Sequence, residues 1–528
     1  MSADPAAPST PGSLPAWLDP LFDAKGMGAV DRWAIDEQGV PSLELMEAAG
    51  AALAREVAAL AADGPVRVVC GKGNNGGDGL VAARLLRETG IAAEALLLWP
   101  ADELSPDAIA NLERLGADGW RHLGEEEPGA ALDGSGAIVD AIFGTGFAGE
   151  PREPAAGAIE AVNELRARGV AVVACDIPSG VDAATGEAAE TCAEADVTVT
   201  FHAAKLGHRI APGKWRCGEL VVAPIGIPPG APQAPAGGTI SGRVLELAPR
   251  RGRESTKFAS GEVVVVGGSR GMTGAVCLAS MAAIRAGAGY ATAAVPDSLE
   301  PIFEVKLTEV MTVGVGSIGG ALDVAAASTV LKRAERAGAV VLGPGLGRSA
   351  QAASLARHLV SRIPCPLLVD ADGLNALGSD LGALATRTAA TVLTPHAGEL
   401  GRLLGVGSDA IASARLDAAR RAAEASGGIV VLKGDDTLIV DGSPGSPANH
   451  LAVNVEGSPA LATAGTGDVL SGTIGALLAR GMDPFAAACA GVLAHSRAGR
   501  AAGVRLGVEA VIASDVIACL PEGLRGAE

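Results

Sequence analysis

Short apolar runs recur along the chain, each followed by a turn and then by a stretch with helical spacing. In the first half they are VRVVC, AEALLLW, AIVDAIF, VAVVACD and DVTVTF; in the second, EVVVVGG, YATAAVP, AVVLGPG, PLLVDAD and GIVVLKG. They are short, rich in β-branched residues and nearly uniform in their apolar character, so they read as strands buried on both faces. Segments such as LVAARLLRETG between them read as helices. Doubly buried strands joined by helical crossovers imply parallel, doubly wound α/β sheets in both halves. Ligands of such sheets collect at the carboxyl ends of the strands, where this sequence concentrates Gly, Asp and Asn.

A chain of 528 residues is too long for one core, so two domains are expected. The uncharged, proline-rich stretch IPPGAPQAPAGG reads as a semi-extended linker over 227–238. It divides a first domain (16–226) from a second (239–528), with a disordered Pro/Ser/Ala-rich tail over 1–15. The net charge of −19 argues against nucleic acid or anionic membranes as main partners. Any phosphate must then be held locally, by backbone N–H groups and a few placed cations. The N-terminus has no signal-peptide pattern and no apolar run reaches membrane-spanning length, so a cytoplasmic protein is expected, as a homo-oligomer. The eight scattered cysteines form no CxxC pair and read as buried free thiols.

The segment Gly71-Lys72-Gly73-Asn74-Asn75-Gly76-Gly77-Asp78-Gly79 joins a strand to a helix. Its glycines allow close approach of a ligand, and a helix N-terminus offers unpaired N–H groups to an anion. It lacks the Gly-Lys-Ser/Thr ending of a Walker A motif, and a tight turn alone would need only one or two glycines. Asp140 leads into Phe143-Gly144-Thr145-Gly146-Phe147, and Asp176 into Pro178-Ser179-Gly180-Val181-Asp182. Asn75, Asp140 and Ser179 thus bring hard oxygen atoms to three strand ends, where they either share one monovalent cation or cap the following segments.

The order GNNGGDG, DAIFGTG, DIPSGVD, then AKLGH and CGEL resembles the NAD(P)H-hydrate epimerase domain from about Ala29 to Gly226. The resemblance implies a Rossmann-like fold with the hydrated dinucleotide on Asn74, Asn75, Gly76, Gly77 and Asp78. It adds Gly144, Thr145, Gly146, Phe147, Ala148, Gly149 and Glu150 as further substrate contacts. It also implies K⁺ on Asn75, Asp140 and Ser179, and Asp176 at the substrate near the epimerising carbon, the expected catalytic group there. Ala48 departs from the asparagine usual in the family.

In the second half, Ala464-Gly465-Thr466-Gly467-Asp468 opens a helix. Successive N–H groups at a helix start make an anion hole, and a carboxylate in that turn can take the proton of a hydroxyl attacking phosphorus. Capping alone would explain Asp468 but not the two glycines. GGSRGMTGA, LGPGLG, DADGLNAL, LTPHAGE and ATAGTGDVLSG together resemble the ribokinase-like superfamily. More narrowly they resemble the ADP-dependent NAD(P)H-hydrate dehydratase, from about Lys257 to Asp515. The resemblance implies catalysis by Asp468 and substrate contacts at Ala275, Gly345 or Gly347, His396 and Asp468. It places ADP on Lys433, Gly434, Asp435, Asp436 and Thr437, and the AMP phosphate at Gly465, Thr466 and Gly467, with Mg²⁺. Phe258 and Ala460 depart from the family pattern near this site. The implied activity is repair of hydrated NADH or NADPH: epimerisation of the R and S hydrates, then ADP-driven dehydration to NAD(P)H, AMP and phosphate. The alternative is a hydroxymethylpyrimidine- or thiazole-type kinase beside a non-catalytic ligand-binding domain.

Overall fold

A computed structural model describes residues 14–124 and 126–526. The chain divides into two compact units, one of residues 20–237 and one joining the described residues 14–19 to 238–526. All ten apolar runs form strands.

The first unit is a seven-stranded parallel sheet. Its order is Trp120–His122, Ala93–Leu97, Val66–Cys70, Ala137–Ala141, Ala171–Cys175, Val197–Phe201, Glu219–Ala223. The direction of winding reverses between Val66–Cys70 and Ala137–Ala141, so a crevice opens at their carboxyl ends. Ala137–Ala141 is buried at every position, which explains a run that is apolar everywhere but at Asp140. Trp120–His122 and Glu219–Ala223 are partly exposed edge strands; WRH has no apolar run, and the run in ELVVA is not among those read above as strands.

The second unit centres on an eleven-stranded sheet. Seven consecutive strands are parallel: Met311–Val315, Tyr290–Pro296, Glu262–Val266, Ala339–Leu342, Leu367–Val369, Thr391–Leu393 and Ile429–Leu432. Here the all-parallel expectation needs correction, because Leu438–Asp441 and Leu451–Val453 run antiparallel beyond Ile429–Leu432. Only five residues separate Ile429–Leu432 from Leu438–Asp441, too few for a helical crossover.

The unit boundary also differs from the sequence reading. The linker segment ends in the strand Gly237–Ile240, which pairs parallel with Leu451–Val453. Residues 16–19 go with the second unit. Trp17 packs 5.7 Å from Phe485, its carbonyl accepts from Ser241 N and Oγ, and Asp19 pairs with Arg243 at 2.6 Å. Most of the expected tail, 1–13, lies outside the described residues. Among the described residues no helix is long and apolar enough to cross a membrane.

Candidate active sites

In the first unit, helix Asn74–Glu88 starts on Gly73 with no side-chain cap, unlike helix Pro106–Leu115, whose Ser105 accepts from Ala108 N. First-turn N–H groups are thus left for a ligand. The glycines before it divide into two kinds. A Cβ on Gly71 would stand 1.9 Å from the Ile142 carbonyl, and one on Gly76 would stand 2.0 Å from the Gly71 carbonyl. Gly71 lets the two loops of the crevice touch, and Gly76 lets its own loop fold back on itself. Gly73 and Gly146 meet nothing within 4 Å and leave open space.

The crevice is a cavity of about 540 Å³. Of the expected substrate contacts, Asn74, Asn75, Asp78, Gly144, Thr145, Gly146, Phe147 and Asp176 line it. Gly76 and Gly77 are buried beneath it, against Gly71 and Met46, and Ala148, Gly149 and Glu150 are exposed beyond it. The Glu150 carboxylate there accepts from Glu190 N. Phe143 stacks on Phe147 at 4.5 Å and lies 6.2 Å from Trp99, and all three line the cavity. In a chain with only 2% aromatics, this concentration makes a face for a planar ring.

Asp140 and Ser179 meet directly: Ser179 N and Oγ donate to the Asp140 carboxylate at 2.8 and 2.6 Å. Phe143 N donates to Ser179 Oγ, and Asn75 lies against the next residue, Gly144. Asp140 is wholly buried with no cationic partner, and burial raises its carboxyl above the usual range despite hydrogen bonds from Ser179 and Ile142. The Asn75 amide nitrogen is buried without a hydrogen-bond partner, and a flipped amide would turn its oxygen into that place. A buried carboxylate lacking a counter-charge, beside hydroxyl and amide oxygens, fits a monovalent cation.

Asp176 stands at φ 64°, a costly conformation for a non-glycine residue. Its Oδ1 accepts from Lys205 Nζ at 2.6 Å, Thr200 Oγ1 at 2.9 Å and Phe201 N at 3.4 Å. Lys205, 1% exposed, gives its other two protons to Thr200 Oγ1 and the Phe201 carbonyl. Burial alone would raise the Asp176 carboxyl, but the Lys205 ammonium outweighs it and holds the group below the usual carboxylate range. His208 Nδ1 accepts from Lys205 N and Nε2 donates to the Asp176 carbonyl, which fixes the neutral tautomer. Burial and Lys205 push that imidazole down to about 3. Lys205, Thr200 and His208 were not singled out from sequence. The signal was a lysine inside an otherwise apolar stretch, TVTFHAAKLG, where burial demands a partner.

In the second unit, helix Thr466–Ala479 also starts without a side-chain cap, on Gly465 at φ 89°. Asp468 lies in its first turn. Lys433 Nζ donates to Asp370 Oδ1 at 3.0 Å and lies 3.6 Å from Glu399, and Ser471 Oγ donates to Asp370 Oδ2 at 2.7 Å. Burial, and next Asp370, raise the Asp468 carboxyl to about 7, with Lys433 opposing them. Ala275 and Gly345 adjoin, Gly345 O accepts from Ser269 Oγ, and Gly347 N donates to Asp372, two residues from Asp370. His396 caps helix Ala397–Leu404 through Nδ1 and leaves Nε2 3.6 Å from Glu399. Asp468, Lys433, Gly467 and His396 are thus gathered with Asp370 and Glu399 about one carboxylate-rich centre.

Three of the expected nucleotide contacts use their side chains otherwise. Asp436 is 2% exposed and pairs with Arg415, Thr437 Oγ1 closes a turn with Gly434, and Thr466 Oγ1 donates to the Leu461 and Thr463 carbonyls. Only their backbones remain to meet a nucleotide. Asp370, Asp372 and Glu399 were not picked out from sequence, although each sits in a motif that was.

Residues 42–207 match the family model described as YjeF-related protein N-terminus, and residues 263–522 the one described as NAD(P)H-hydrate dehydratase. The bifunctional NAD(P)H-hydrate repair enzyme Nnr of Moorella thermoacetica is 39% identical over 96% of this chain and 97% of its own length. That of Salinibacter ruber is 37% identical over 96% of each. A solved ADP/ATP-dependent NAD(P)H-hydrate dehydratase from Bacillus subtilis, co-crystallized with ATP/Mg²⁺, is 27% identical with a TM-score of 0.46, covering 54% of this chain and 96% of that one. The two matched families do not favour the small-molecule kinase alternative. The chain belongs to the bifunctional NAD(P)H-hydrate repair enzymes.

Proposed function

We propose that the first unit epimerises hydrated NADH or NADPH and the second dehydrates the S hydrate with ADP as phosphoryl donor. The observation that carries the second half is Asp468, raised to about 7 at the uncapped start of Thr466–Ala479. A base near neutrality is well matched to a hydroxyl proton. Hydroxide leaves the nicotinamide ring poorly and phosphate leaves well. Asp468 accepts the ring hydroxyl proton as the oxygen attacks the β-phosphorus of ADP and AMP departs. Loss of phosphate and of a proton from the neighbouring carbon then restores the double bond. The amides of Gly465, Thr466 and Gly467 receive the transferred phosphoryl, and Lys433 stands beside it. Asp370 and Glu399 share Lys433, Asp372 pairs with Arg348, and with Asp468 the four carboxylates outnumber the two cations, which fits a divalent cation arriving with the nucleotide. Mg²⁺ would offset phosphoryl charge there.

In the first unit the aromatic face of Phe143, Phe147 and Trp99 suits a planar base, and Asp176, pinned by Lys205, is a fixed negative charge beside the ring. Asn75, Asp140 and Ser179 would hold K⁺ and so tie the two loops of the crevice together. The dinucleotide pools it would serve put the protein in the cytoplasm. Recovery of absorbance at 340 nm from purified R and S hydrates with ADP and Mg²⁺ tests the whole reading. Both epimers should be recovered. Stable phosphorylated product without recovery would point to an ordinary kinase.

Gly467 separates fold from function. A Cβ there would lie 3.6 Å from Lys433 Nζ and 4.0 Å from Asp370, an ordinary contact. Gly467→Ala is therefore expected to unfold at the wild-type temperature yet lose ~10-fold or more in ADP affinity, because the methyl occupies the phosphate's place. Calorimetric titration with ADP and a melting curve check it.

A further inference from the structure

We propose that Asp31 and Asp78 form the acid–base pair of the first site, Asp31 taking the ring hydroxyl proton and Asp78 supplying one to the ring nitrogen. This deepens the epimerase reading and rests on it.

Asp31 comes from helix Ala24–Asp36 and Asp78 from helix Asn74–Glu88, and both line the cavity that Asp176 and Lys205 line. Neither carboxyl has a hydrogen bond or ion pair with any described residue. Their charged neighbours are committed elsewhere. Asp176 holds Lys205, all three Lys205 protons are donated, and neutral His208 is tied at both nitrogens. Arg32 is exposed on the same helix as Asp31, Lys72 pairs with Glu103, and Asp107 completes the charged groups of the cavity.

The two carboxyls are unlike. Burial raises Asp31 to about 6, Lys205 opposing and Asp176 assisting. Burial, Asp176 and Asp31 together raise Asp78 well above the ordinary carboxylate range. The charge of Asp31 disfavours ionisation of Asp78, so the two acids are pushed apart. Two acids pushed apart in this way can take the roles of base and acid. Asp176, held low by Lys205, is too weak a base for the task.

The step balances. Protonation of an enamine double bond puts the cation beside nitrogen, where water adds, so the hydroxyl-bearing carbon of the hydrate is bonded to the ring nitrogen. Asp31 takes the hydroxyl proton and the C–O bond becomes C=O. The carbon–nitrogen bond breaks, and its electron pair stays on nitrogen, which takes the Asp78 proton. Rotation about the adjacent carbon–carbon bond presents the other face of the aldehyde. Nitrogen then re-adds and returns its proton to Asp78 while Asp31 returns one to oxygen. Nothing is oxidised, and both acids end as they began.

The test uses the full chain with pure R hydrate, ADP and Mg²⁺, followed at 340 nm, with S hydrate as the internal control and the uncatalysed rate subtracted. Asp31→Asn should slow recovery from R by ~100-fold or more in kcat, with KM nearly unchanged and recovery from S at the wild-type rate. Asp31→Glu, which keeps the carboxylate, should restore at least about a tenth of the rate. The ratio of wild-type recovery from R to recovery from S should fall as pH drops through about 6. Asp31→Asn at the wild-type rate, or Asn and Glu variants equally inactive, would overturn the pair and leave the epimerase reading standing. A wild-type chain that recovers S but never R would overturn that reading itself.

Discussion

Asp468→Asn is expected to lower kcat for recovery from the S hydrate by ~10³-fold, with KM nearly unchanged and epimerisation of R to S intact. Asparagine can cap a helix as aspartate does, so a capping role for Asp468 would leave activity in place. The base must be ionised to act, and its carboxyl is raised to about 7 by burial and Asp370. Wild-type kcat should therefore climb as pH passes through about 7. Stability moves the other way. A carboxyl raised in the folded state costs nothing when protonated, and its cost grows as pH rises to and beyond about 7. The variant should melt above the wild type at pH 8 and by a smaller margin at pH 5. Calorimetric melting at the two pH values, beside the 340 nm assay, reads both effects. A variant both inactive and less stable at pH 8 would show that Asp468 supports the fold.

The strands were legible because burial on both faces makes nearly every position apolar, as in Val66–Cys70 and Glu262–Val266, where only Arg67 and Glu262 depart from it. The edge strand Trp120–His122 escaped for the same reason: it is exposed or partly exposed at all three residues, and its sequence, WRH, carries no such mark. Loops at strand ends were legible where a turn concentrated glycines, and both glycine-rich helix starts lie at carboxyl ends of strands. Sequence could not divide those glycines by purpose. Gly71 serves the contact with the neighbouring loop and Gly76 the folding of its own, while Gly73 faces open space. Nor could it find Asp31, whose helix shows an aspartate among other polar positions, since only the fold turns that helix toward the cavity. Asp436 shows the opposite failure, a polar residue in a glycine-containing loop whose side chain turns inward to Arg415. Motif position locates a loop, and packing decides where each side chain points.

Lys205→Met is expected to cost the first unit about 3–5 kcal/mol and to abolish epimerisation, because it leaves Asp176 buried without its cation. The wild-type carboxyl is held below the ordinary value by Lys205. A depressed pKa gives stability that is present above the unfolded pKa and lost only as pH falls through the folded one. At pH 5 to 8 the wild type thus keeps this contribution in full. In the variant the opposing ammonium is gone and burial outweighs the hydrogen bonds from Thr200 and Phe201, so the carboxyl rises above its ordinary value and the penalty grows with pH. The gap between wild type and variant should narrow toward pH 4 and widen toward pH 7. Every tryptophan except Trp17 lies in residues 20–237, so tryptophan fluorescence during urea unfolding follows mainly this unit. Removing the orphaned charge supplies the control. The double variant Lys205→Met/Asp176→Asn should regain half or more of the lost stability, since a neutral amide no longer needs the ammonium, and should remain inactive. Equal instability of the single and double variants would assign the loss to the missing hydrogen bonds at Thr200 and Phe201. A single variant as stable as the wild type at pH 7 would mean that Asp176 reaches water or another cation, and that Lys205 does not hold it ionised.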